Sequence, residues 1–145
     1  MPQADILQLA DALVADLNAH SFSQPFQAVR GYLPTFELPD LNVLRVTVVP
    51  KEDGGKLDTR SSSAHEYAID IGVQKKPPKT DNEDLDPLMY LVQEIADYFL
   101  FGKRPGGTTL IAPQVRILYL QEHLHKFHQF TSVLTLTFRG WRQSA

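Results

Sequence analysis

Residues 86–102 read DPLMYLVQEIADYFLFG, and this stretch decides the fold. Asp86 is placed to accept backbone N–H bonds at a helix start, Pro87 suits a first helical position where its missing N–H is not needed, and Gly102 suits a left-handed stop. Leu88, Leu91, Val92, Ile95, Ala96 and Phe99 then recur every three or four residues, which gathers them on one side of a helix. Such a stripe needs a sheet beneath it. The same helix carries Glu94 and Asp97, which fall outside the stripe and read as solvated charges rather than an acid–base pair.

Working outward, the sequence places strands on both sides of this helix. A first helix over about residues 5–18 has Ile6, Leu9, Ala10, Leu13, Val14 and Leu17 on its apolar face, Asp11 and Asp16 opposite, and Asp5 with Gln8 as a capping box. Residues 26–33 have strand composition with Gly31 as a bend, and Pro34 and Pro39 bracket an irregular connection. Residues 43–49 alternate, with Leu44, Val46 and Val48 on one side and Arg45 and Thr47 on the other, and Pro50 is expected to end the strand.

Residues 51–64, KEDGGKLDTRSSSA, contain Leu57 as the only large hydrophobe and are expected to form a long mobile loop. Residues 66–76 place Tyr67, Ile69, Ile71 and Val73 on one face and Ala68, Asp70, Gly72 and Gln74 on a wet or polar-contacting face. After the turn-rich residues 103–109, a short strand over 115–120 and a long one over 130–141 follow, the latter with Leu134, Leu136 and Phe138 inward and Val133, Thr135 and Thr137 outward. The reading is one α+β domain over residues 1–145, ordered α-β-β-β-α-β-β: an antiparallel or mixed sheet of about five strands with two helices on one face.

Composition narrows the function classes. A chain of 145 residues suits one core, and at that size folding buries roughly 70% of the surface exposed in the unfolded chain. No apolar run is long enough to span a bilayer, so no membrane partner is expected. The start of the chain has no basic residue before its apolar ones and three aspartates among them, which argues against a secretory signal. The absence of cysteine removes disulfides, thiolate metal sites and thiol nucleophiles and fits a cytosolic origin. Net charge is −3, but residues 1–102 hold 8 Lys and Arg against 16 Asp and Glu, whereas residues 103–145 hold 6 basic residues against Glu122 alone. Either the two parts mix in the fold, or the division survives and lets one copy's basic face meet another's acidic face.

Candidate chemistry is sparse. His123, His125 and His128 could bind a transition metal, but on a strand His128 lies opposite the other two, and on a helix His123 points away from His125 and His128. A polar turn before the last strand accounts for them. The acids Asp81, Glu83, Asp84 and Asp86 lack the glycine and closing glutamate of a calcium loop and suit a helix start. Residues 103–109, KRPGGTT, have phosphate-binding residue types without the order of a phosphate loop, and no nucleophile elbow or dinucleotide fingerprint is present. We therefore expect neither an enzyme nor a bound cofactor, and scattered basic residues argue against specific nucleic-acid binding.

Three segments together resemble a known family: YLPTFELPDL at 32–41 leading into LRVTVVP at 44–50, DIGVQK at 70–75, and FTSVLTLTF at 130–138. They are similar to the small tail-completion proteins of long-tailed bacteriophages and prophages, and closest to the tail-terminator type. The resemblance implies an α+β subunit of a ring, a hexamer, that sits in the virion at the head-proximal end of the tail after assembly in the host cytoplasm. Such a ring stops tail-tube polymerisation and offers a docking face to the head-completion or connector protein, while DNA passes through without specific binding. A head-completion or stopper ring of the neck would share much of this pattern.

On that reading the loop around Lys56 and Arg60 is expected to contact the tube or the next subunit, the alternative being a disordered surface loop. Trp141 with Arg139 and Arg142 is a second expected interface, because Trp and Arg are enriched at binding hot spots; the alternative is a core tryptophan ending the last strand. Rival readings are a metal-dependent enzyme using His123, His125 and His128, and a small dimeric ligand-binding domain.

Overall fold

The structure, a computed structural model, describes residues 4–32, 43–57, 62–101, 108–117 and 121–143. The elements run α1 (Asp5–Ala19), β1 (Ala28–Arg30), β2 (Arg45–Leu57), β3 (Ser62–Lys75), α2 (Asn82–Phe101), β4 (Thr109–Ile117), α3 (Gln121–Phe127) and β5 (Phe130–Gln143). They form one five-stranded sheet in the order β1-β2-β3-β5-β4. Strand β1 is parallel to β2 and every other pairing is antiparallel, so the sheet is mixed.

Alternation in the sequence builds the core face. Val48 lies opposite Ile71, and Ile71 opposite Leu134; the rows on either side hold Val46, Val73, Ile69, Leu136, Tyr67 and Phe138, all at most 4% exposed. Both long helices cover this face: α1 lies over β1 and β2, and α2 over β5 and β4. Leu9, Leu13 and Leu17 of α1 and Leu88, Leu91, Ile95 and Phe99 of α2 join the strand residues in one cluster. The apolar stripe read from residues 86–102 is thus the buried stripe of α2, and Ile95 is fully buried.

Helix boundaries differ from expectation for local reasons. Helix α2 begins at Asn82, not at residue 86. Asp81 caps it, its Oδ1 accepting from the Asp84 N–H at 3.0 Å, while Asp84 Oδ2 accepts from the Lys79 N–H at 3.0 Å. Pro87 therefore sits inside the helix, near enough to its start that the one lost hydrogen bond is tolerated. Gly102, the expected stop, lies outside the described residues. At α1 the Asp5–Gln8 capping box does not form: Ala4 is the cap residue, without a side-chain bond, and its carbonyl accepts from Leu7 and Gln8.

Strand β1 is shorter than read, three residues flanking Gly31, whose N–H donates to the Val48 carbonyl at 3.0 Å. Asn18 at the end of α1 holds it from outside, donating to the Ala28 carbonyl at 3.1 Å and accepting from the Ala28 N–H at 2.7 Å. The loop 20–27 is fastened to α2 rather than left free. Tyr98 packs against His20 and Phe22, with ring centroids 4.3 and 5.5 Å apart. Glu94 accepts from both the backbone N–H and the hydroxyl of Ser23. Glu94, read as a charge facing water, is therefore a tether.

The second sheet face is less wet than its sequence suggests. Thr47, Val49, Gln74, Thr131 and Thr135 are all buried there, and the Thr135 hydroxyl donates to Asp70 Oδ1 at 2.6 Å. Both polar atoms of the Gln74 amide are buried with no hydrogen-bond partner. An unpaired buried polar group costs about 1–3 kcal/mol, so Gln74→Met should raise stability by about 1 kcal/mol in urea unfolding. Ile95→Asp should leave no cooperative thermal transition, because it puts a carboxylate into the centre of the α2 stripe. A folded, soluble Ile95→Asp protein would show that the assigned buried face is wrong.

Candidate functional site: a three-stranded arm

Residues 51–57 and 62–64, expected to be loop, are strand. Strand β2 continues through Pro50 to Leu57, and β3 begins at Ser62, so most of the segment is a β-hairpin paired in register from Glu52 opposite Ala68 to Leu57 opposite Ser63. Pro50 survives inside the strand because β1 pairs with β2 only as far as Val48, leaving the proline nitrogen on an edge where no N–H is required. A register shift between Pro50 and Glu52 makes Lys51 the extra residue of a bulge, which resets the alternation for the rest of the strand.

Strand β5 extends equally far on the other side of β3. Its last residues pair Glu66 with Arg139, His65 with Gly140, Ala64 with Trp141, Ser63 with Arg142 and Ser62 with Gln143. Beyond Thr109, which pairs with Arg139, β4 contributes no further rungs. The result is a three-stranded arm of β2, β3 and β5 running on past the last fully apolar row.

This arm unites residues that are far apart in sequence. Lys56, Ala64 and Trp141 occupy one row across the three strands, and Leu57, Ser63 and Arg142 the next. Of the five expected interface residues, Lys56, Trp141 and Arg142 thus share adjacent rows, although their side chains lie outside what the structure describes. Arg139 lies two rows nearer the core, half exposed, and pairs with Glu66 at 3.1 Å, an exposed ion pair of about 0–1 kcal/mol. Arg60 lies outside the described residues, as do most of the connection with Pro34 and Pro39 and the 103–107 turn.

Where the apolar core stops, a polar pair takes over the same face. Tyr67 stacks on His65 at 5.7 Å between centroids and 13° between planes. The His65 Nδ1 donates to Asp53 Oδ1 at 2.6 Å, with His65 only 8% exposed. Gly140 lies beneath: a Cβ there would meet Tyr67 Cε2 at 3.2 Å and Thr108 Cγ2 at 3.3 Å, so the absent side chain lets the tyrosine ring lie against β5. Sequence reading missed His65 and Asp53 because they are 12 residues apart and fell within or beside a supposed loop. Their shared face follows only once the bulge at Lys51 is counted.

The histidine cluster resolves differently from a polar turn. Residues 121–127 form α3, ended by His128 with φ of 53°, a left-handed stop. His125 and His128 are exposed and line a shallow pocket of about 350 Å³ with Thr80, Gln121 and Leu124. The His123 side chain lies outside the described residues, and among those described no three His, Asp or Glu side chains gather as metal ligands. One guanidinium is perturbed elsewhere: a hydrogen bond that Arg30 donates to Tyr32 raises Arg30 above its ordinary value, partial desolvation opposes this, and Asp11 adds to the rise.

No helix among the described residues is long and apolar enough to cross a membrane. Gly140→Val should lift Tyr67 and loosen the arm at a cost of about 1–3 kcal/mol, read as faster amide exchange at residues 63–67 with the helices unaffected. The comparison with known families finds no family model that matches the chain, and a search of curated proteins finds no match.

Proposed function

We propose that this chain is a structural virion protein of the tail-terminator type, which caps the end of a phage tail tube as a ring, stops tube polymerisation and presents a docking face to the head connector. The observation that carries the reading is the three-stranded arm. It is paired across three strands row by row, and it groups the positions of Lys56, Arg139, Trp141 and Arg142. A ribbon of this kind, which brings a tryptophan and arginines together, suits contact with neighbouring subunits, since those residue types are enriched at interfaces.

Capping on this account is surface complementarity: one face of the ring matches the last tube subunits, and the other does not reproduce the tube's growing face. No bond is made or broken, and no cofactor takes part. The two-layer body supplies a rigid base, with α1 and α2 on one side of the sheet and the arm projecting from the sheet's end. The ring number of six and the place at the head-proximal end of the tail come from the family resemblance.

Negative-stain microscopy with a mass measurement tests this, on the purified protein alone and mixed with tail-tube protein of the same virus during polymerisation. Rings on tube ends, with tubes shortened as the protein is increased, are the expected result. A tight dimer that leaves tube length unchanged would contradict it.

A further inference from the structure

Of the five histidines in the chain, two are held by their neighbours. His20 packs against Phe22 and Tyr98, with ring centroids 4.6 and 4.3 Å away, and His65 is bonded to Asp53 and stacked on Tyr67. His125 and His128 differ from both. They are exposed, neither has a partner of this kind among the described residues, and they line the same shallow pocket of about 350 Å³ with Thr80, Gln121 and Leu124.

The local sequence explains why they meet. Gln121, Leu124 and His125 fall at the spacing of one face of α3, and position 128 continues that face one turn further on. The helix stops there, with His128 at φ of 53°. Glycine takes a left-handed stop with less strain. An imidazole is held there instead, and backbone strain of this kind gathers where the placement of a side chain matters.

The lining selects the ligand. Among the described residues no carboxylate and no ammonium group lines the pocket. The charges nearest in sequence are engaged elsewhere: Lys126 pairs with Glu122 at 3.0 Å, and Asp81 and Asp84 accept from backbone N–H groups around the start of α2. A pocket without carboxylates does not suit magnesium or calcium, which take oxygen ligands. Neutral imidazoles suit zinc and its neighbours among the transition metals.

We propose that His125 and His128 form a two-imidazole site for a divalent transition metal of the zinc type, with water filling the remaining coordination positions. The site is smaller than the three-ligand groupings that the described residues lack, and neither histidine belongs to the hydrophobic core. The ion is therefore an exchangeable ligand of the folded chain and not a condition of its folding. His123 belongs to the same sequence cluster but not to the site, because position 123 lies about 200° around the helix from position 125. That separates this site from a three-histidine enzyme centre. It does not depend on what the protein caps.

Calorimetric titration of the full chain, free of any purification tag, with zinc chloride in a non-chelating buffer tests the proposal. Wild type should bind a single Zn²⁺ and show no binding of Mg²⁺. His125→Ala and His128→Gly should each weaken zinc binding at least about 10-fold. Both should melt as wild type does, since His125 is exposed and glycine fits the left-handed stop at 128. His123→Ala should bind zinc as wild type does. A wild type that binds no zinc, wild-type affinity in His125→Ala or His128→Gly, or an equal loss in His123→Ala would each overturn the assignment.

Discussion

Strand β3 is hydrogen-bonded on both sides, to β2 and to β5, along nearly its whole length from Ser62 to Lys75, and the rest of the molecule depends on that double pairing. Near its C-terminal end it is the middle of a core: Ile69, Ile71 and Val73 are fully buried under α1 and α2. Toward its N-terminal end the same strand continues as the spine of an arm, paired with β2 and β5. One element thus belongs to both the hydrophobic core and the paired arm. The crossover falls at the Asp53, Tyr67 and Phe138 row, where the last buried aromatic residues meet the His65–Asp53 pair.

Two helices hold that spine from one side in different ways. Helix α1 closes the β1 end, where Asn18 reproduces a strand's hydrogen bonds at Ala28. Helix α2 closes the β4 end with its apolar stripe, and reaches α1 through Tyr98 and Glu94 by way of the loop 20–27. The body is therefore bound across both layers, while its two sheet ends carry the exposed apolar residues. That division places the stabilising contacts in the middle of the sheet.

Much of this was legible in the residues. The alternation of Tyr67, Ile69, Ile71 and Val73 and of Leu134, Leu136 and Phe138, and the stripe through Ile95, each identified the face the structure buries. The arm was not legible, because KEDGGK has the composition of a loop: glycines and charges carry no inward-facing period, and Pro50 normally ends a strand. Its order comes from partners, β3 and β5, that local sequence does not reveal. Helix α3 was hidden by its polar composition, and the true start of α2 by an Asp-Pro pair that imitates one. The contact of Glu94 with Ser23 spans 71 residues, so nothing local announces it. Of the expected interface residues, Lys56 comes from one segment and Trp141 with Arg142 from another, and strand pairing sets their positions side by side.

The central claim is that residues 51–57, 62–66 and 140–143 form a paired ribbon rather than loops. Native-state amide hydrogen exchange on the isolated chain tests it most directly. The account predicts protection of the β3 amides in 62–66 well above loop rates, because they are paired on both sides, with weaker protection along the outer strands. Exchange of residues 62–66 at the rate of an unstructured peptide, alongside a protected core at Ile69 and Ile71, would contradict it.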